Sequence, residues 1–151
     1  MSLLNESLIV IGADVKTAEE CIRLAAALFE ENGYVKEGYG DAVAARELEY
    51  PTGLPGKGMN IAIPHTNNKL VNHPAVGVII PNRPVSFSMM GMKEQVLECE
   101  LIFPLVVKDS HQQIDMLRRM MQIIQDSGTL RAIRNSENKA EIIALLGSLE
   151  E

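Results

Sequence analysis

The chain has 151 residues, 46% of them hydrophobic and 23% charged, a balance that excludes intrinsic disorder. One domain over residues 1–151 could bury roughly two-thirds of its unfolded surface. The 20 acidic against 14 basic side chains leave a formal net charge of −6, which repels phosphate backbones and argues against a nucleic-acid partner. No apolar run approaches the length of a membrane span. The first residues lack the basic region and apolar core of a secretion signal, so the expected location is the cytoplasm, without membrane insertion.

In chain order, Leu8-Ile9-Val10-Ile11, closed by Gly12, predicts a buried strand. Thr17-x-x-Glu20 has capping-box form. With Cys21, Leu24, Ala25 and Leu28 at helical spacing and Gly33 as a stop, it predicts a helix over 18–32. Cys21 and Cys99 show no metal-ligand or CxxC spacing and are expected to be buried small hydrophobes. Gly40-Asp41 opens a second helix that ends near Tyr50, before Pro51. The connection from Pro51 to Gly58, rich in proline and glycine, predicts irregular backbone whose amides can approach an anion.

Ile61 and Ile63 then alternate with small or polar neighbours as in a short strand, and Pro64 stops the ladder. His65 is thereby presented just past a strand end, where open α/β sheets carry their ligand crevices. Taken alone, a Pro-His pair is more often an ordinary turn. After the polar run Asn67-Asn68-Lys69 and His73-Pro74, residues 75–80 predict a strand closed by Pro81. Residues 82–91 predict a turn, a short edge strand and a second turn. Val96 to Val107 is the longest apolar run, expected to begin half exposed and become buried on both faces, with Pro104 marking a bulge or an edge.

Asp109 or Ser110 caps the clearest helix, with Ile114, Leu117, Met121 and Ile124 on one stripe and Met116, Met120 and Ile123 beside it. Gly128-Thr129 begins a short helical piece, and Ser136-Glu137 opens a last amphipathic helix through Ile142, Ile143, Leu145 and Leu146. The cations Arg118, Arg119, Arg131 and Arg134 read as solvated helix faces. Strands alternate with helices, so the fold class is α/β, with helices on both faces of a sheet.

Two histidines carry the chemistry. His111 lies in the first turn of a helix, where free amides and the helix dipole favour an anion nearby. Beside His65 it would complete a nucleophile with a donor next to it, and the fixed fork of Arg46 would suit a phosphoryl oxygen. Phosphoryl transfer needs little beyond such positioning and charge. Physics alone leaves the convergence of the three open.

Ala45-Arg46-Glu47, then Pro51-Thr52-Gly53, then Asn60-Ile61-Ala62-Ile63-Pro64-His65 resemble, in order and approximate spacing, the "RE…TG…G-x-AIPH" signature of the enzyme IIA family of the bacterial sugar phosphotransferase system, fructose–mannitol type. Val106-Val107-Lys108-Asp109-Ser110-His111 resembles that family's second histidine segment. The resemblance implies a three-layer α/β/α sandwich with a mixed, mainly parallel sheet, and no metal or organic cofactor. It implies that His65 accepts a phosphoryl group from the phosphocarrier HPr and passes it to a cysteine of enzyme IIB, the partner of membrane enzyme IIC. His111 would stabilise the phosphohistidine, Arg46 would support the phosphoryl group, and Thr52 would line the pocket.

The long Thr52–Met59 connection, Thr66 after the histidine, and Val85-x-Phe87-x-x-Met90-Gly91 look more like the galactitol-type subgroup. A regulatory module resembling the nitrogen-related branch of the family is the alternative. A metal-dependent hydrolase built on His65, His73 and His111 is a third reading, and it lacks a close ligand pair.

Overall fold

The structure, a computed structural model, describes residues 2–150. A 3-10 turn at Glu6–Leu8 leads into β1 (Ile9–Ala13). Helix α1 (Ala18–Glu31) starts where expected, because Thr17 Oγ1 accepts the Glu20 amide at 3.1 Å. It is followed by α2 (Tyr39–Glu49), entered through Gly38 at a φ of 95° that a side chain would disfavour. Strands β2 (Gly53–Pro55), β3 (Asn60–Ala62), β4 (Ala75–Val76), β5 (Val78–Pro81), β6 (Val85–Met89), β7 (Met92–Ile102) and β8 (Leu105–Val106) come next. The helices α3 (Ser110–Ile124), α4 (Ser127–Asn135) and α5 (Lys139–Leu145) complete the order.

Six strands form one mixed sheet in the order β1-β5-β7-β3-β2-β6, with β6 also paired to β7. Parallel ladders join β1 to β5, β3 to β7 and β2 to β6, and antiparallel ladders join β2 to β3, β5 to β7 and β6 to β7. Strand alternation divides the apolar residues between two faces. Ile61, Val78, Ile80 and Leu101 pack with Met120, Ile124, Leu130 and Ile142 of the C-terminal helices. Ala62, Ile79, Phe87 and Ile102 pack with Cys21, Ile22, Phe29 and Val43 of α1 and α2. Helices therefore cover both faces of the sheet, the expected α/β/α sandwich, and each large apolar side chain buried this way contributes about 1.5–3 kcal/mol.

Several local expectations change. Residues 51–58 are not wholly irregular, because β2 pairs antiparallel with β3 and the return is closed by the Gly56 amide donating to the Met59 carbonyl at 2.9 Å. The glycines that suggested loop backbone build the turn of a hairpin. The strand expected over 75–80 is split at Gly77, whose amide turns to the Pro104 carbonyl at 2.8 Å while β4 leaves to pair with β8. A Cβ at Gly77 would meet the Phe29 ring at 3.1 Å. The strand expected over the long apolar run likewise starts earlier, at Met92, and breaks after Ile102 ahead of Pro104.

Helix α3 turns inward one side of its broad apolar face: Ile124 and, partly, Leu117 of the expected stripe, with the residues flanking it. Met116, Met120, Ile123 and Ile124 are buried, whereas Ile114 is 66% and Met121 41% exposed. Both sides of that face are apolar, and contact with α4 and the C-terminal 3-10 turn decides between them. Helix α5 opens later than Ser136, because Asn138 Oδ1 accepts the amides of Ala140 and Glu141.

The hairpin that carries β3 is held against β6 at Gly53, where an added Cβ would lie 2.6 Å from the Ser88 carbonyl oxygen. Backbone cannot yield as a flexible side chain can. Gly53→Ala is therefore expected to lower stability by roughly 1–3 kcal/mol in urea unfolding. A variant as stable as the parent would mean that β2 and β6 do not approach so closely.

Candidate active site at the end of β3

Past β3 the chain stays clamped on both sides. The Ile63 amide donates to the Thr52 carbonyl at 3.2 Å, and the amides of Phe103 and Leu105 donate to the carbonyls of Ala62 and Pro64 at 2.8 and 3.0 Å. The residue after Pro64 is consequently fixed by sheet-like contacts even though the strand has ended. His65 is 6% exposed, and its Nδ1 lies 2.7 Å from the carbonyl oxygen of Ile63. A carbonyl only accepts, so Nδ1 carries the proton and Nε2 keeps its lone pair.

Burial is the largest influence on this ring and lowers its proton affinity; the Ile63 bond opposes it, and the nearby Arg46 cation lowers it further. The balance favours a neutral imidazole, which is the nucleophilic form. Arg46, in the last turn of α2, places its guanidinium carbon 5.2 Å from the Tyr50 ring centroid, while its Nε is buried without a hydrogen-bond partner. A buried charged donor left unpaired is costly, and an anion is the group that would satisfy it.

The neighbouring Glu47 grips Thr52 at two points. The Thr52 amide and hydroxyl donate to separate oxygens of its carboxylate, each at 2.7 Å. Thr52 is 2% exposed, so it lies inside this network rather than on an open pocket wall. Burial pushes the Glu47 carboxyl up from the ordinary 4.5 to about 7, against the opposing pull of the two Thr52 bonds and of Arg46.

Below 4.5 both folded and unfolded states hold the proton. Between 4.5 and about 7 the unfolded chain has lost it and the folded chain has not. Stability therefore falls as pH rises through that window, by about 1.4 kcal/mol per unit and ~3 kcal/mol in all. His65 works the other way, since a ring kept neutral by folding costs stability as pH drops below its ordinary 6.5. Glu47→Gln removes only the first effect. Thermal melts of both proteins from pH 5 to 8 are expected to show the parent losing stability relative to the variant as pH rises; a constant difference would refute the assignment.

His111 is not hydrogen-bonded to His65. Its side chain is 90% exposed in the first turn of α3, with Nε2 3.8 Å from Asp115. The segments bearing the two histidines do meet, because Asn68 Nδ2 donates to the Lys108 carbonyl at 2.7 Å. This bond joins the loop after His65 to the residue before Asp109, whose side chain caps α3 by accepting the Gln112 amide at 2.7 Å. A shallow groove lined by Asn67, Asn68, Lys108 and Ser110 runs between them. His73 instead packs edge-on against Tyr34, with ring centroids 6.5 Å apart.

Among the described residues no three His, Cys, Asp or Glu side chains cluster closely enough to hold a metal ion, and no helix is long and apolar enough to cross a membrane. Both cysteines are fully buried, and burial pushes each thiol up to about 12. The four arginines of the C-terminal region divide among three partners: Arg118 with Asp115, Arg119 with the Leu149 carbonyl, and Arg131 and Arg134 together with Glu100.

Sequence reasoning singled out His65, Arg46 and Thr52 but gave no role to Glu47, to the Ile63 carbonyl or to Tyr50. Only Glu47 left a signal, a carboxylate five residues before a threonine across a helix end.

Residues 2–148 match the family described as "Phosphoenolpyruvate-dependent sugar phosphotransferase system, EIIA 2". The chain is 25% identical to a mannitol-specific phosphotransferase enzyme IIA component of Halalkalibacterium halodurans, over 99% of this chain and 98% of that protein. It is 30% identical to the galactitol-specific EIIA component of Escherichia coli K12, over 62% of this chain and 61% of that one. Among solved structures, the complex of enzyme IIAMtl and phosphorylated enzyme IIBMtl from Escherichia coli has a similar fold, with a TM-score of 0.79 at 23% identity over 96% of this chain and 97% of that one.

Proposed function

Because the chain belongs to the EIIA 2 family of the phosphoenolpyruvate-dependent sugar phosphotransferase system, we propose that His65 is its phosphorylated nucleophile, taking a phosphoryl group from HPr and giving it to the cysteine of an enzyme IIB that serves membrane enzyme IIC. The observation that carries this reading is the buried His65 ring, its Nδ1–H held by Ile63 and its Nε2 left as the free lone pair.

The Nε2 lone pair attacks phosphorus as the bond from phosphorus to the donor breaks, and the bonding electrons leave with the donor. The ring then carries positive charge shared with Nδ1–H, which the Ile63 carbonyl stabilises. Arg46 offsets the negative charge of the phosphoryl oxygens. In the second half-reaction a cysteine thiolate of enzyme IIB attacks phosphorus, the N–P bond breaks, and His65 returns neutral. In this reading Thr52 supports the pocket from within.

The sugar is handled by the partner components, so a galactitol or mannitol assignment follows from which enzyme IIB accepts the group. The test incubates the protein with phosphoenolpyruvate, enzyme I and HPr, measures intact mass before and after acid, and then adds candidate enzyme IIB proteins. One acid-labile phosphoryl adduct that discharges onto a IIB cysteine supports a transport component. An adduct that no IIB discharges favours the regulatory reading, and no adduct refutes the carrier.

His111 is the second histidine of this proposal. Its exposed ring can turn about χ1 toward the groove beside Asn68 once a phosphoryl group is present. His111→Ala is expected to leave the fold intact and slow discharge by about tenfold; discharge at the parent rate would remove His111 from the site.

A further inference from the structure

A continuous chain of hydrogen bonds links Glu47 to His65 through backbone. The Glu47 carboxylate accepts the amide and hydroxyl of Thr52, each at 2.7 Å. The Thr52 carbonyl accepts the Ile63 amide at 3.2 Å. The Ile63 carbonyl accepts Nδ1–H of His65 at 2.7 Å. Every link is local to the hairpin except the first, which comes from the end of α2. Helix and sheet thus meet at one carboxylate.

We infer that Glu47 is a positioning residue for the phosphoryl transfer, holding Thr52 and through it the Ile63 carbonyl that selects the Nδ1–H tautomer of His65. This rests on the phosphocarrier reading given above. The role is directional for a physical reason. Thr52 sits one residue before Gly53, where the absence of a side chain allows the close approach to Ser88 and leaves the backbone without the restraint a Cβ would add. A two-point clamp on Thr52 restores that restraint. If the Thr52 carbonyl rotates, the Ile63 amide loses its partner, φ and ψ of Ile63 are less restrained, and its carbonyl, in the following peptide plane, can tilt away from the ring. His65 is then free to carry its proton on Nε2, where it blocks the attacking lone pair.

What matters in this scheme is the shape of the clamp. Glutamine retains it, since its oxygen can accept the Thr52 amide while its NH2 donates to Thr52 Oγ1 after the hydroxyl rotates. Alanine does not.

The experiment reads the ring nitrogens of His65 by 15N NMR in the unphosphorylated protein, at a pH where the imidazole is neutral, alongside the rate of phosphoryl acceptance from phospho-HPr. Glu47→Ala is expected to move both ring-nitrogen shifts toward the average of the two tautomers and to slow acceptance by about 10–100-fold. Glu47→Gln is expected to keep the parent spectrum and a rate within about threefold. A side chain that only stabilises the fold would lower the melting temperature of Glu47→Ala and leave the ring spectrum unchanged, which would overturn the proposal. So would a Glu47→Gln protein as impaired as Glu47→Ala, since charge rather than placement would then be at work. Where Glu47→Ala does not fold, Thr52→Val removes one of the two clamp bonds and is expected to shift the ring nitrogens the same way; an unmoved spectrum counts against Glu47. Failure of the parent to accept a phosphoryl group would sink the carrier reading separately, because the tautomer is read without any transfer.

Discussion

His65→Ala is expected to leave a folded chain that takes up no phosphoryl group from phospho-HPr. Loss of a covalent nucleophile ordinarily costs on the order of 10⁶ in rate, and no neighbour can substitute. The two thiols are fully buried and held near 12, so they stay protonated at neutral pH. Tyr39 is raised further by burial and spends its hydroxyl on the Leu105 carbonyl at 3.0 Å. His111 is exposed, with Nε2 3.8 Å from Asp115, and among the described residues no backbone carbonyl is hydrogen-bonded to its ring. Folding should survive, because the segment is clamped by backbone bonds from Ile63, Phe103 and Leu105 rather than by the imidazole. Intact mass spectrometry and circular dichroism together check this. A full adduct on a well-folded variant would move the phosphorylation site elsewhere, His111 being the first place to look.

Arg46→Ala is expected to slow phosphoryl acceptance by about 10²-fold or more, the usual loss when a preorganised donor to developing negative charge is removed. The same cation also lowers the proton affinity of His65. Its removal should therefore shift the acidic limb of the pH–rate profile to higher pH, since the ring protonates more readily once its positive neighbour is gone. The sign distinguishes a contact in the site from a remote effect on folding. Arg46→Lys keeps the charge and loses the fork, so it should restore the limb more fully than the rate. A pH–rate profile of Arg46→Ala that superimposes on the parent's, with an unchanged maximum, would remove Arg46 from the site. Tyr50, with its ring 5.2 Å from the guanidinium carbon, holds that fork in place, and its own truncation should have a smaller effect of the same kind.

The readings that came through best rest on signals contained in a few adjacent residues. Thr17 caps α1 as its spacing implied, and of the two caps open for α3, Asp109 or Ser110, Asp109 serves, since a capping bond needs only the side chain and an amide three residues on. Cys21 and Cys99 are interior, as small apolar residues without ligand spacing should be. His65 does follow a strand end, although β3 stops at Ala62, ahead of Pro64, whose carbonyl still accepts the Leu105 amide at 3.0 Å. Glycine and proline also marked the 51–58 connection, but they marked where the chain turns and left open what the turn joins.

Determined by the sequence alone were the α/β class, the family signature carried by Arg46, Glu47, Thr52 and His65, and the starts of α1 and α3. Decided only by the tertiary structure were the pairing of β2 with β3, the break at Gly77, and which side of the apolar face of α3 turns inward. The bond from Glu47 to Thr52 and the burial of the His65 ring belong to the same group. Each depends on a partner brought close by packing: Ser88 against Gly53, Pro104 against Gly77, and the end of α2 against the hairpin. Local propensity and periodicity act over one or two turns of chain, so they specify elements, whereas burial of two sheet faces at once selects the contacts between elements and thereby sets the His65 ring against the Ile63 carbonyl.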